Sequence, residues 1–115
     1  MPDWKEVRLP HERLVAWEVA RELLLAVRDA QIKDADLRDQ ALRAAKSACL
    51  NIAEATGREG ADQKRVYRIA RGEGSEAAAA LRIAQDLDAC NALHAEHGQL
   101  AARRPYALLT GLLRV

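Results

Sequence analysis

Apolar positions recur every three or four residues along most of the chain, which is typical of amphipathic helices rather than strands. The first such pattern begins at about His11 and ends before the stretch "KDAD", where Asp34 or Asp36 can cap a following helix. Its apolar stripe predicts a first helix with one main buried face, formed by Ala16, Val19, Ala20, Leu23, Val27 and Ala30.

Two further helices follow the same period. The second is predicted from about Leu37 to Thr56, with Gly57 as a C-cap residue because glycine adopts the left-handed conformation without penalty. The third begins near Asp62, where a carboxylate complements the positive end of the helix dipole. The apolar positions of the second helix are Leu37, Ala41, Ala44, Ala45, Ala48, Ile52 and Ala55, and those of the third are Val66, Ile69, Ala70, Ala77, Leu81, Ala84 and Leu87.

Two glycines fall inside the third predicted helix. Gly72 and Gly74 each cost about 1 kcal/mol relative to alanine in a helix interior. We therefore expect them at close approaches to a neighbouring helix or at a bend.

The end of the chain allows two interpretations. Asn91 can cap a fourth helix that runs to about Leu113 and bends at Pro105. Alternatively, the third helix continues to His97 and breaks at Gly98.

Helices of about twenty residues joined by short connections favour antiparallel neighbours. The sequence therefore predicts an all-α, up-and-down antiparallel four-helix bundle, with an N-terminal arm at residues 1–10 and a single bundle domain at residues 11–115. The composition agrees, because 115 residues without phenylalanine, and with only two tryptophans and two tyrosines, must build a core of small and aliphatic side chains. Such a core suits closely packed helices better than a sheet, whose strands favour β-branched and aromatic residues.

The net charge of +1 gives no overall electrostatic attraction to nucleic acid or membrane, so either partner would need a local patch. The first residues do not resemble a signal peptide, and no apolar run reaches the roughly 18 residues of a membrane span. We expect a cytoplasmic protein with no membrane partner, in which Cys49 and Cys90 are buried, reduced thiols.

The stretch "SACLNIAEATGREG" places a carboxamide and a carboxylate within a mostly apolar helix. On the second helix, Asn51 and Glu54 belong to a polar stripe that steps by three and four residues. It is either a solvated face or a partly buried network between helices or subunits. Glu54 can pair with Arg58 at i,i+4. The candidate network comprises Arg43, Asn51, Glu54 and Glu76, with Glu76 expected to face Arg43 or Arg58.

The run "LRDQALRAAKSACLNIAEATGR" resembles the signature of the four-helix-bundle proteins encoded in 23S rRNA intervening sequences. "LVAWEVA" and "RIARGEGSEAAAAL" resemble that family's motifs in its first and third helices. The chain departs from the pattern at Ala55, where glycine is usual, at Glu73, where serine is typical, and at Tyr67, where phenylalanine is usual. The matching positions are Gln40, Arg43, Ala44, Ala45, Ser47, Asn51, Ile52, Ala53, Glu54, Gly57, Arg58, Ala70, Arg71, Gly72 and Glu76.

This resemblance implies a homo-oligomer, a ring of five bundles (a pentamer), whose biochemical role is poorly defined. More loosely, related bundles serve diversity-generating retroelements, where a basic ring binds nucleic acid and a reverse transcriptase. In that context the polar stripe of the second helix favours a structural network over a solvated face.

The best candidate for nucleic-acid binding is a basic stripe on the third helix. Lys64, Arg68 and Arg71 lie at i, i+4 and i+7, flanked by Arg58 and Arg65. From 58 to 71 there are five basic and two acidic residues, whereas from 72 to 99 there are one basic and five acidic ones. The other interpretation is a solvated face with intersubunit ion pairs.

The only aromatic residue near this stripe in the sequence is Tyr67, so no platform for base stacking is expected. The stripe therefore predicts binding of RNA or DNA directed by shape and backbone.

No catalytic constellation is recognisable, so we expect no enzyme activity and no cofactor. Cys90, His94 and His97 have the spacing of zinc ligands only if one helix continues unbroken across Asn91, and no metal site is predicted. The first hypothesis is a nucleic-acid-binding oligomer. The alternative is a structural or protein-interaction oligomer that binds no nucleic acid, and a neighbouring gene product is a further conceivable partner.

Overall fold

The structure is a computed structural model that describes residue 1 and residues 3–115. Two short 3-10 turns precede five α-helical segments, and the described residues contain no β-strand. The turns are Trp4–Glu6 and Pro10–Arg13, and the helices are α1 (Val15–Asp29), α2 (Ala35–Ala55), α3 (Gly60–Asp86), α4 (Ala92–Ala101) and α5 (Arg103–Leu113).

α4 and α5 follow each other across Ala102 and together form the fourth helix of the bundle. α1 packs beside α2, α2 beside α3, and α3 beside α4 and α5, which return alongside α1. This arrangement confirms the predicted all-α four-helix bundle. Residues 3–9 are exposed, whereas the turn at Pro10–Arg13 packs against α1 and α2.

Capping residues fix where α2 and α4 begin. The carboxylate of Asp34 accepts a hydrogen bond from the backbone N–H of Leu37 at 2.9 Å. The amide oxygen of Asn91 accepts one from the N–H of His94 at 3.1 Å. α3 ends at Asp86, so the first interpretation of the chain end, a separate fourth helix capped by Asn91, is confirmed.

The predicted role of Gly57 is wrong. α2 ends at Ala55, and its C-cap residue Thr56 has right-handed helical dihedrals. The positive φ of this connection, 57°, belongs to Gly60 at the start of α3. Other groups satisfy the last carbonyls of α2: the Thr56 hydroxyl donates to the carbonyl of Ala53 at 2.6 Å, and the Gln63 amide donates to that of Ala55 at 3.0 Å. A left-handed cap is therefore not required here.

The fourth helix is interrupted at Ala102, one turn before Pro105, where the sequence predicted a bend. Proline has no N–H, and its ring collides with the carbonyl four residues earlier, which here belongs to Ala101. This loss of a helical hydrogen bond accounts for the interruption next to Ala101. Pro105 itself lies in the first turn of α5, where a missing N–H is tolerated.

The core is built from small side chains with a few large ones between them. Its largest fully buried residues are Leu23, Ile32, Ile52, Leu81, Leu109, Val19 and Val66. Gly74 is buried, and a methyl group there would lie 3.8 Å from Leu23 and 3.9 Å from Ala48, which confirms a close approach. Gly72, in contrast, is exposed and has open space where a Cβ would lie, so it is not at a close approach.

Among the glycines, the closest approach to neighbouring helices is at Gly98, in α4. A Cβ at this position would overlap the Leu81 side chain and lie 3.3 Å from the Cβ of Ala26. Both neighbours belong to the buried core and have little freedom to move. Gly98 therefore lets α4 pack against α1 and α3 together.

We expect Gly98→Ala to destabilise the protein and Gly72→Ala to stabilise it. Both variants gain about 1 kcal/mol of helix propensity, but only Gly98→Ala overpacks the core, at about 1–3 kcal/mol. Urea unfolding followed by circular dichroism at matched protein concentration measures the difference. Equal stabilisation by both substitutions would contradict the close packing of α4.

Candidate nucleic-acid interface

The five predicted basic residues divide into two groups, and the first is neutralised by carboxylates. Asp62 bridges two of them: its carboxylate lies 2.7 Å from Nη1 of Arg58 and 3.0 Å from Nη2 of Arg65. Arg58 also pairs with Glu54 at 2.5 Å, as the i,i+4 spacing predicted. These ion pairs cancel most of the local charge of Arg58 and Arg65.

The same contacts shift the ionisation of Asp62. Its hydrogen bond from Arg58, followed by that from Arg65, lowers the pKa of the carboxyl group below its ordinary value of 3.8. The reciprocal hydrogen bonds to Asp62 and then to Glu54 raise the pKa of the Arg58 guanidinium. The Nε atom of Arg58 is buried without a hydrogen-bond partner. This arginine is thus fixed in a structural ion-pair cluster at the α2–α3 connection.

The second group is free of carboxylates. Lys64, Arg68 and Arg71 form no ion pair with any side chain that the structure describes. Arg68 is exposed, and the other two are partly exposed. We call these three residues the basic face of α3.

Arg71 is held by α5 at one end of this face. Its Nη1 donates to the Thr110 hydroxyl at 3.1 Å, and that hydroxyl donates to the backbone carbonyl of Tyr106 at 2.8 Å. Its guanidinium carbon also lies over the Tyr106 ring, 5.3 Å from the centroid. The orientation of Arg71 is therefore fixed without neutralising its charge.

This contact corrects the expectation that no aromatic platform accompanies the basic residues. Tyr67, the aromatic that is near in sequence, is buried with 6% of its surface exposed. Tyr106, which is 49% exposed, is near in space instead. A helical wheel of the fourth helix places Arg103, Tyr106 and Thr110 on one side, but the sequence carries no signal that this side meets Arg71.

A groove between α3 and the fourth helix, near Ala102, continues the basic face. Its volume is about 380 Å³. On α3, Lys64, Arg68 and Arg71 are followed at the same helical spacing by residues that line this groove. The lining residues are Ser75, Ala78, Gln99, Ala102, Arg103 and Tyr106. Cations, hydrogen-bonding groups and one aromatic ring thus line one continuous surface.

Within one protomer, the four described residues of the candidate polar network form no hydrogen bond or ion pair with one another. The Asn51 amide donates to the backbone carbonyl and the hydroxyl of Ser47, at 2.9 and 3.0 Å. Glu54 is engaged by Arg58. Arg43 and Glu76 are exposed and make no ion pair with each other or with other described residues.

The sequence pattern did not predict a second exposed surface of α3, which carries two isoleucines. Ile69, which was predicted for the core, is 39% exposed, and Ile83 is 49% exposed. Glu76 lies seven residues from each, so the three share one side of α3. Leu50 is 65% exposed on the side of α2 opposite the buried Ala48. The sequence could not distinguish Ile69 from a core residue, because it lies at the edge of the apolar arc.

The thiols and histidines form no candidate site. Cys49 is buried, and desolvation raises the pKa of its thiol to about 11, whereas Cys90 is partly exposed. Cys90 precedes α4 and does not share a helix face with His94 and His97. Among the described residues, no three potential metal-ligating side chains converge. None of the helices in the described chain combines the length and apolar character needed to cross a membrane.

The family model of the 23S rRNA-intervening sequence protein matches residues 12–111. The chain belongs to this family. The match begins in the turn before α1 and ends within α5, so it covers α1 to α4 and most of α5, including the basic face and the groove. No curated protein has a sequence that matches the chain significantly.

We expect the Asp62 carboxyl group to titrate below pH 3.8 in the folded protein. Because its folded pKa is lowered, the cluster stabilises the fold above that pH, and this contribution disappears as the pH falls through the lowered value. Carboxyl chemical shifts measured by NMR against pH give the midpoint. Arg58→Gln should return it towards 3.8 more than Arg65→Gln does, and the opposite order would contradict the geometry.

Proposed function

We propose that this protein is a non-enzymatic, cytoplasmic homo-oligomer that binds nucleic acid through the basic face of α3. The expected ligand is structured RNA. The oligomer is the ring of five copies that the family resemblance implies. The observation that carries the proposal is the division of the basic residues. Arg58 and Arg65 are neutralised by carboxylates, whereas Lys64, Arg68 and Arg71 have no carboxylate partner among the described residues.

Unpaired cations on one helix face suit a polyanion because each phosphate contact releases condensed counterions. The effect of three cations is modest in one protomer, since the net charge of the chain is only +1. A ring would repeat the basic face in every copy and would add the contacts along a folded RNA. Assembly and binding are therefore coupled in this proposal.

The exposed side chains of α2 and α3 support self-association. Ile69 and Ile83 leave apolar surface uncovered on α3, and Leu50 does so on α2. Glu76 and Arg43 carry opposite charges and have no ion-pair partner in the part of the chain that the structure describes. Apolar groups with complementary charges beside them are the composition expected of an interface between identical chains.

The second candidate is an assembly that binds only protein, either its own copies or a neighbouring gene product. The exposed isoleucines favour this candidate, because assembly alone would account for their exposure. Under this alternative the basic face is a solvated surface.

Charge reversal tests nucleic-acid binding. We expect Lys64→Glu/Arg68→Glu to weaken binding of a labelled structured RNA by about tenfold or more, and to make the salt dependence shallower by about 1 to 2 logarithmic units per unit of log salt. The measurement is fluorescence anisotropy at stepped salt concentrations. The matched control is Lys33→Glu/Arg38→Glu at the α1–α2 end of the bundle, where both residues are exposed, which changes the charge equally away from the basic face and from the Leu50 side of α2.

Equal loss in both double variants would indicate a response to net charge and would contradict a localised interface. If the unaltered protein causes no anisotropy change at saturating concentration and low salt, nucleic-acid binding is wrong and the assembly alternative remains. Light scattering on every variant verifies that the oligomer persists.

Substitution of Ile69 tests assembly. We expect native mass spectrometry of the unaltered protein to give five copies of the 12.7 kDa chain, and Ile69→Glu to shift the mass towards one copy, because a charge would be buried in the interface. The control is Leu25→Glu, at a similarly exposed apolar position on α1. A monomeric unaltered protein, or dissociation by Leu25→Glu alone, would contradict the proposed interface.

A further inference from the structure

Tyr106 lines the groove between α3 and the fourth helix and forms a composite surface with Arg71, which packs against its ring. The guanidinium lies over the ring, 5.3 Å from its centroid, and about half of the Tyr106 surface remains exposed. Both a tyrosine ring and an arginine plane accept a stacked nucleobase. The two groups are already ordered against each other, so little conformational entropy is lost when a base stacks on them.

The hydrogen bonds around Arg71 explain why this surface is rigid. Thr110 accepts from the guanidinium and donates to the carbonyl of Tyr106, which joins α3 to α5 through one hydroxyl. Only Nη1 of Arg71 is used in this contact, and the described residues offer no other hydrogen-bond partner to the guanidinium. Its remaining N–H groups are left for a phosphate or a base edge.

The groove beyond this surface is open, and its lining offers a cation and hydrogen-bonding groups to a nucleotide. Its volume of about 380 Å³ falls in the range of pockets that hold small organic ligands. Ser75 supplies a hydroxyl and Arg103 a cation whose Nη1 is anchored on the carbonyl of Gln99 at 2.6 Å. No carboxylate is among the residues that line it, so no lining group repels a phosphate.

The basic face of α3 leads directly to this groove. From Lys64 to Ala78 the residues recur at steps of four, three, four and three, so they lie on one side of the helix. At 1.5 Å per residue this side is about 21 Å long, which is enough for several successive phosphates of an extended strand. The cations would follow the backbone while the base at one end stacks.

From this geometry we infer that the groove between α3 and the fourth helix binds an unpaired nucleotide, whose base stacks on the part of the Tyr106 ring that Arg71 leaves uncovered while Lys64 and Arg68 contact the adjoining phosphates. The inference rests on the proposed nucleic-acid binding and deepens it. The ligand is a single-stranded segment, such as the loop or end of a folded RNA, rather than a continuous duplex. The stacking chemistry is shared by RNA and DNA, because every base has a π face.

The test compares labelled oligonucleotides of equal length on the full chain: a single-stranded RNA, the same sequence as DNA, and a blunt RNA duplex. We expect Tyr106→Ala to weaken single-strand binding by roughly 5- to 150-fold, the effect of removing one stacked base. Duplex affinity should change less than twofold. Tyr106→Phe should retain single-strand affinity, since it keeps the ring. RNA and DNA arms that differ would identify which strand the groove prefers.

A matched control is available in the N-terminal turn. Trp4 is 77% exposed and has the Lys5 ammonium 5.6 Å from its ring, so it is an exposed aromatic with its own cation outside the groove. Trp4→Ala should leave all affinities unchanged. Circular dichroism and thermal unfolding verify that the Tyr106 variants remain folded.

The outcomes distinguish the proposed nucleic-acid binding from the proposed stacking site. If Lys64→Glu/Arg68→Glu abolishes binding but Tyr106→Ala changes single strand and duplex equally, the proposed function stands and the stacking site is wrong. If the unaltered protein binds none of the three oligonucleotides, both are wrong. Photocrosslinking of a 4-thiouridine strand should yield a peptide that contains Tyr106, and exclusive crosslinks elsewhere would overturn the site.

Discussion

Alanine and glycine allow α2 and α3 to pack together along most of their length, and the other features of the bundle depend on this close approach. The buried positions of the two helices are mostly methyl-sized, so their contact uses only a narrow arc of each. The remainder of α3, a 27-residue helix, stays available on both sides of that arc. One side faces α4 and α5 and carries the basic face, and the other carries Ile69, Glu76 and Ile83. Larger residues at the α2–α3 contact would separate the helices and change both surfaces.

The fourth helix forms the other wall of the groove, and its interruption at Ala102 determines how α5 lies against α3. Gly98 lets α4 approach α1 and α3 closely, and Pro105 forces the break one turn earlier at Ala102. The chain then continues as α5 with Tyr106 directed at Arg71. An uninterrupted fourth helix would keep Gly98 in contact with α1 and α3, but it would position Tyr106 and Thr110 differently relative to α3. The groove is thus a product of two residues, a glycine and a proline, that are poor helix formers for different reasons.

The sequence predicted the helices well because the 3.6-residue period is a local property, and Asp34 and Asn91 mark two helix starts by local hydrogen bonds. It failed where the answer depends on groups distant along the chain. The C-terminus of α2 is satisfied by Gln63 from the next helix, which no pattern within α2 reveals. Likewise Arg71 and Thr110 are 39 residues apart, so the aromatic surface beside the basic face emerges only from packing. The division of the basic residues was equally hidden, because it depends on which arginines reach Asp62.

The two exposed surfaces of α3 are compatible with each other. On a helical wheel the basic face and the Ile69–Glu76–Ile83 side are separated by roughly 100°. A neighbouring copy that covers the isoleucines would therefore leave Lys64, Arg68 and the Tyr106 groove uncovered. In the proposed oligomer, self-association and strand binding would reinforce each other, since each added copy would contribute another groove and raise the effective concentration of sites along one nucleic acid. Under this proposal, the repeated grooves would supply the attraction that a net charge of +1 does not provide.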